Sequence, residues 1–222
     1  MIEVARWAPS GHNSQPWEFI VIDDSKIIHE LAALSADIYV ETQKTRLDLK
    51  ELVQIWWRWF RWSDEELEIT GDGMYLREMS RDLWEEMRKT ESIEELRAKV
   101  IEVLSPKMRA SLINESACVI LTLLDNTRKI PNASQDIMAL TGMGAVLQNL
   151  RIAIHSLGMA AHEVSLLYDL SETREKIMER LGIPPHYTIV SAMRIGYPSE
   201  PSTAHKTHVR RPVEELVHWN RF

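Results

Sequence analysis

The stretch Ala8-Pro9-Ser10-Gly11-His12-Asn13-Ser14-Gln15-Pro16-Trp17, followed at once by Glu18-Phe19-Ile20-Val21-Ile22, decides how this chain is read. Pro9 and Pro16 cannot sit inside a helix, and Ser10, Gly11, Asn13 and Ser14 are turn formers. The apolar run behind them reads as a buried strand. A polar loop is therefore expected between a helix end and a strand, rich in backbone N–H groups that can be aimed at a planar polar ligand. An ordinary helix-to-strand connection has the same composition. Upstream, Ile2, Val4 and Ala5 lead into Trp7-Ala8-Pro9 without an N-cap, as the last turn of a helix does.

With 222 residues and no Pro/Gly/Ser-rich linker, the chain reads as one domain, 1–222. Its 45% hydrophobic and 27% charged content is that of a globular protein. A net charge of −7, with Lys and Arg interleaved with Asp and Glu, argues against nucleic acid as a partner. The single cysteine, Cys118, lies in an apolar run and reads as a small buried hydrophobe. Neither a signal peptide nor an apolar run of the ~20 residues needed for a membrane span is evident. The expectation is a cytoplasmic protein without a membrane partner.

Further along, 18–22 is expected as a strand and 25–35 as a helix capped by Ser25. A second helix over 41–62 carries Leu52, Val53, Trp56, Trp59 and Phe60 at helical spacing, with Trp57 and Trp62 on other faces. Such a helix packs between two partners or closes over a bound aromatic. Residues 74–89 and 92–104 read as charged amphipathic helices. Residues 117–124 read as an interior strand, and 136–157 as the longest apolar helix, stopped by Gly158. Gly142, Gly144 and Ala145 would let another helix approach closely, as suits a central or interface helix. A short extended segment over 159–168, a helix over 170–181 capped by Ser171 and stopped by Gly182, and a strand over 187–196 complete the pattern. His205 and His208 lie in a polar tail without a third ligand, so no metal site is expected.

The opening loop resembles the Ala-Pro-Ser-x-x-Asn-x-Gln-Pro-Trp signature of the FMN-dependent nitroreductase family. Gly144 with Gln148-Asn149-Leu150, Leu181 to Pro184, Ile195 to Pro198, and Arg210-Arg211-Pro212 with Glu214-Glu215 are similar to further landmarks of that family. The resemblance implies an α+β homodimer with a mostly antiparallel sheet flanked by helices. It implies bound FMN, NAD(P)H as electron donor and a small-molecule acceptor. The isoalloxazine would meet Pro9, Ser10, Gly11 and Asn13, reaching across from a partner copy, and Glu163, Val164 and Ser165. The Ser165 hydroxyl would donate to flavin N5, which favours one-electron as well as hydride chemistry. His12 would present its backbone N–H to a substrate oxygen or its side chain as a proton donor; a surface loop histidine is the plain alternative. Arg210 and Arg211 would grip the phosphate, since guanidinium forks fit phosphate oxygens; a solvated charge pair is the alternative.

The family's Arg-rich helix ahead of the loop has no counterpart in this sequence. The long segment between the first two strands, with a helical insertion at about 36–112, resembles the lid-bearing branch that includes iodotyrosine deiodinase and the flavin-cleaving dimethylbenzimidazole synthase. Three functions stay open from sequence: reduction of a quinone, nitro or other small aromatic acceptor; a lid-bearing specialist that dehalogenates reductively or cleaves flavin; and a non-catalytic flavin-binding dimer.

Overall fold

A computed structural model describes residues 1–46, 92, 95, 98, 110, 113–128, 137–198 and 213–220, with the side chains of 43–46 and 215 excepted. Its elements in order are helix α1 (Ile2–Ala5), strand β1 (Trp17–Ile22), helix α2 (Ser25–Arg46), strand β2 (Cys118–Asp125), helix α3 (Ile137–Ser156), strand β3 (Ala160–Glu163), helix α4 (Ser171–Leu181) and strand β4 (Tyr187–Gly196). Short 3-10 turns stand at Gly11–Asn13, Ser165–Leu167 and Val213–Glu215.

Among the described residues four strands form one sheet in the order β1-β2-β4-β3, antiparallel at every pairing. β2 lies between two neighbours and is covered on both faces, which is why its sequence is apolar without alternation. Val119, Leu121 and Leu123 point to one face, where they pack with Ile28, Leu31 and Ala32 of α2 and Ile177 of α4. Ile120 and Leu124 point to the other, where Met143, Val146, Leu150 and Ile154 of α3 and Ala5 of α1 meet them. The period of two in the strand is thus matched to two separate helical stripes. Between Thr122 and Leu123 the β2–β4 register slips by one residue, a bulge that leaves Val190 as the extra residue on β4.

Several boundaries differ from the sequence expectation, each for a local reason. α2 does not stop near Ser35 but runs to Arg46. No Gly or Pro interrupts that stretch, and the buried Ser35 hydroxyl bonds back to the Ala32 carbonyl at 3.1 Å instead of capping a new helix. Its N-terminus is capped by Asp24, whose Oδ1 accepts the Lys26 N–H at 2.8 Å, not by Ser25. In α4, Leu170 occupies the N-cap position without a side-chain bond, so Ser171 is the first helical residue and not the cap. Its other end behaves as expected: Gly182 takes the left-handed conformation at φ 64° that closes a helix.

α3 is long and apolar enough, by length and composition, to cross a membrane, contrary to the expectation that no such run exists. Here Gly142, Met143, Val146, Leu150, Ala153 and Ile154 are buried at helical spacing against the sheet. Chain contacts divide the protein into two compact units, residues 1–43 with 104–198, and residues 44–103 with 199–222. The sheet and its helices, α2 as far as residue 43, belong to the first. In the second, the Ser92 hydroxyl accepts the Glu95 N–H at 3.1 Å, and Val213, Leu216, Val217 and Trp219 are exposed.

Candidate functional site

The loop between α1 and β1 is held by its own bonds. Ser10 does most of this: its hydroxyl accepts the Gln15 N–H at 3.0 Å and its carbonyl accepts the Asn13 N–H at 3.0 Å. Ser14 N–H reaches the Gly11 carbonyl at 3.1 Å, and Gln15 Nε2 donates to the Asn13 carbonyl at 3.4 Å. Closing so tight a turn forces His12, Asn13 and Gln15 to φ of 52°, 55° and 44°. The left-handed positions therefore fall on three residues with side chains, each of which pays a steric penalty that glycine escapes. His12 and Asn13 point into solvent.

Both ends of the loop are fastened to the core. Behind Pro9 and Ser10 stands Gly142 of α3, where an added Cβ would lie 3.3 Å from the Pro9 carbonyl oxygen and 3.6 Å from Ser10 Cα. At Gly142 the close approach is thus made by the loop and not by another helix. Gly144 has nothing within 4 Å of its Cβ position. At the other end the Pro16 carbonyl accepts the Asp125 N–H at 2.7 Å, and Trp17 is buried. Asp125 itself is locked at the end of β2 by Thr127, whose hydroxyl and N–H both donate to Oδ1, which holds its carboxyl below the usual range.

The second cluster follows β3. Val164 is buried and extends the ladder by one bond, its N–H meeting the Ala192 carbonyl at 2.7 Å. Ser165 then turns out into solvent at the head of the 3-10 turn, and its carbonyl accepts the N–H groups of Tyr168 and Asp169. The Glu163 carboxylate points inward: Oε1 accepts the Tyr168 hydroxyl at 3.0 Å, the Ser191 hydroxyl at 2.7 Å and the Ala192 N–H at 3.1 Å, and Oε2 accepts Arg151 at 2.8 Å. Burial, then the charge and hydrogen bond of Glu163, push the Tyr168 phenol up to about 12.

The expected site residues thus fall into two groups. Pro9, Ser10, Gly11, His12 and Asn13 sit together in one loop, and Glu163, Val164 and Ser165 in one turn. Both groups touch α3, the first at Gly142 and the second at Arg151, which stand nine residues and therefore about 14 Å apart along the helix axis. Arg210 and Arg211 lie outside the described residues, as do the Trp56 to Trp62 cluster and His205 with His208. Sequence reading missed Arg151, Tyr168 and Ser191, the partners of Glu163. A lone cation on an apolar helix, at Arg151, was the available signal.

Cys118 pairs with Ile195 on β2, half-buried, and burial raises its thiol, with the Asp23 charge adding to the shift. A thiol held neutral in this way is a weak nucleophile. Among the described residues no group of three or more His, Cys, Asp or Glu could hold a metal ion.

A four-stranded antiparallel sheet between helices, with a strained polar loop pinned to its central strand, is the nitroreductase-like α+β fold. The chain belongs to the nitroreductase family, whose model matches residues 1–197. Among solved structures it is similar to the FMN-dependent nitroreductase NfnB from Mycobacterium smegmatis in complex with NADPH, with 19% identity, 99% of this chain and 85% of that chain covered and a TM-score of 0.53. It is similar to the NADPH:FMN oxidoreductase from Vibrio harveyi complexed with NAD+, at 15% identity over 100% of this chain and 66% of that chain, TM-score 0.54. An FMN-dependent nitroreductase from Clostridium difficile R20291 matches at 14% identity over 100% and 84%, TM-score 0.51. A search of curated protein sequences gives no match.

Proposed function

We propose that this protein is an FMN-dependent oxidoreductase that takes electrons from NAD(P)H and delivers them to a small quinone, nitro or other aromatic acceptor, working as a homodimer. The observation that carries the reading is the loop 9–13, fastened at both ends and strained so that His12 and Asn13 face outward. Such preorganised polar backbone fits the hydrogen-bonding edge of a flavin, and the exposed Ser165 hydroxyl fits the neighbourhood of N5. Bound there, the flavin would supply hydride and single-electron transfer. Pro9, Ser10, Gly11 and Asn13 would hold its ring, Glu163, Val164 and Ser165 would meet it from the opposite group, and His12 would offer its N–H or a proton to the acceptor. Arg210 and Arg211 are the proposed phosphate contacts.

Separation of the two groups along α3 supports a site shared between copies, the loop from one and the Ser165 turn from the other. The outward side of α3 supports pairing as well: Ile137, Met138, Leu140 and Ile152 are about half exposed or more, and Gly144 leaves room for a neighbour. A lid-bearing branch membership rests on the sequence resemblance alone. The absorption spectrum of purified protein with and without added FMN tests the reading: a yellow protein bleached by NADH or NADPH is expected. A colourless protein that takes up no FMN overturns it in favour of a non-catalytic dimer.

A further inference from the structure

The resemblance sets Glu163 against the cofactor, and within the chain its carboxylate is held from several sides. Four donors converge on it, Tyr168 Oη, Ser191 Oγ and the Ala192 N–H on Oε1 and Arg151 on Oε2. These donors come from three places, the 3-10 turn, β4 and α3. The Ala192 N–H is the telling one. In a continuing ladder it would donate to the Val164 carbonyl, but that carbonyl accepts the Leu167 N–H at 3.2 Å, and the Glu163 side chain takes its place. Val164 N–H still meets the Ala192 carbonyl at 2.7 Å, so Ala192 is held on both its polar groups by two consecutive residues of the departing strand.

We propose that Glu163 is a positioning residue for the flavin site: its carboxylate ties the end of β3 to β4 and α3 and thereby fixes where Ser165 presents its hydroxyl and N–H. β3 is a four-residue edge strand with three exposed residues, too short to hold its own end without such a tie. The part concerning flavin rests on the proposed function; the tie itself does not.

Glu163→Ala, Glu163→Gln and Ser191→Ala separate the possibilities. In flavin-free protein, amide hydrogen exchange at Val164 and Ala192 should quicken about tenfold or more in Glu163→Ala, the loss of charge-assisted bonds, with Ile120 and Leu121 unchanged. In FMN-loaded protein the same variant should shift the flavin midpoint potential and its visible circular dichroism. Glu163→Gln keeps an oxygen for Ser191 and Ala192 and should recover most of both effects. Unchanged exchange in Glu163→Ala overturns the tie. Quickened exchange with an unmoved potential and dichroism overturns the positioning role and leaves a strut. Should Glu163→Ala not fold, Ser191→Ala, which removes one donor of the four, must give a smaller quickening confined to the same amides, and none there overturns the tie. If wild-type protein takes up no FMN, the proposed function fails while the exchange result still decides the tie.

Discussion

Ser165 carries a free hydroxyl one residue beyond a buried valine, so its removal costs the fold little. Ser165→Ala should leave thermal unfolding and FMN affinity nearly unchanged, because one neutral hydrogen bond contributes only about 0.5–1.5 kcal/mol. Stepwise photoreduction followed by absorbance should nevertheless show less flavin in the one-electron form than in wild type, and equal amounts would remove Ser165 from the site. Tyr168 gives a pH signature. Its phenol is raised to about 12 against an unfolded value near 10, so the stability it contributes is complete below pH 10 and is lost as pH rises through 12. Chemical-denaturant unfolding of Tyr168→Phe should therefore differ from wild type at pH 9, with the gap changing between pH 10 and 12; a gap constant across that window would contradict the assignment. At this scale the loop 8–17 was legible because proline and the small polar residues restrict backbone directly. Glu163 was not, since the donors that claim it come from residues 151, 168, 191 and 192, and only the folded sheet brings these together.

Strands were read nearly to the residue, because burial on one face or two leaves its period in the sequence; β1, β2 and β4 begin or end within one residue of expectation. Helix ends were read less well. The caps at Asp24 and Leu170 depend on which of two adjacent residues takes helical backbone, a choice of small energy made by tertiary contacts, whereas the α2 end was set well short, at Ser35, where no Gly or Pro stops the helix. The two glycines of α3 make a matched pair of variants. Gly144→Ala meets open space and gains helix propensity, so a single copy should be stabilised by up to about 1 kcal/mol. Gly142→Val places branched carbon against the Pro9 carbonyl and Ser10, and should displace the loop and abolish FMN uptake. Calorimetry on both, with FMN titration on the second, checks this; unimpaired uptake in Gly142→Val would separate the loop from the flavin.

For the whole molecule the proposal is a dimer, and light scattering at micromolar concentration should give twice the chain mass of 25.7 kDa. Ile152→Glu, a charge on the exposed side of α3, should yield monomers with fewer bound flavins, whereas a wild-type monomer would end the shared-site reading. Composition argued against a nucleic-acid surface, but the apolar helix of spanning length was passed over; a third of that stretch is buried, against a sheet assembled from segments far apart in sequence. The left-handed loop has a thermal consequence. His12 and Gln15 hold backbone that glycine adopts freely, at a cost of order 1 kcal/mol or more each. The native loop therefore sits uphill of its own glycine variants: His12→Gly and Gln15→Gly should melt higher than wild type, so heat resistance is withheld at a loop proposed to meet the ligand.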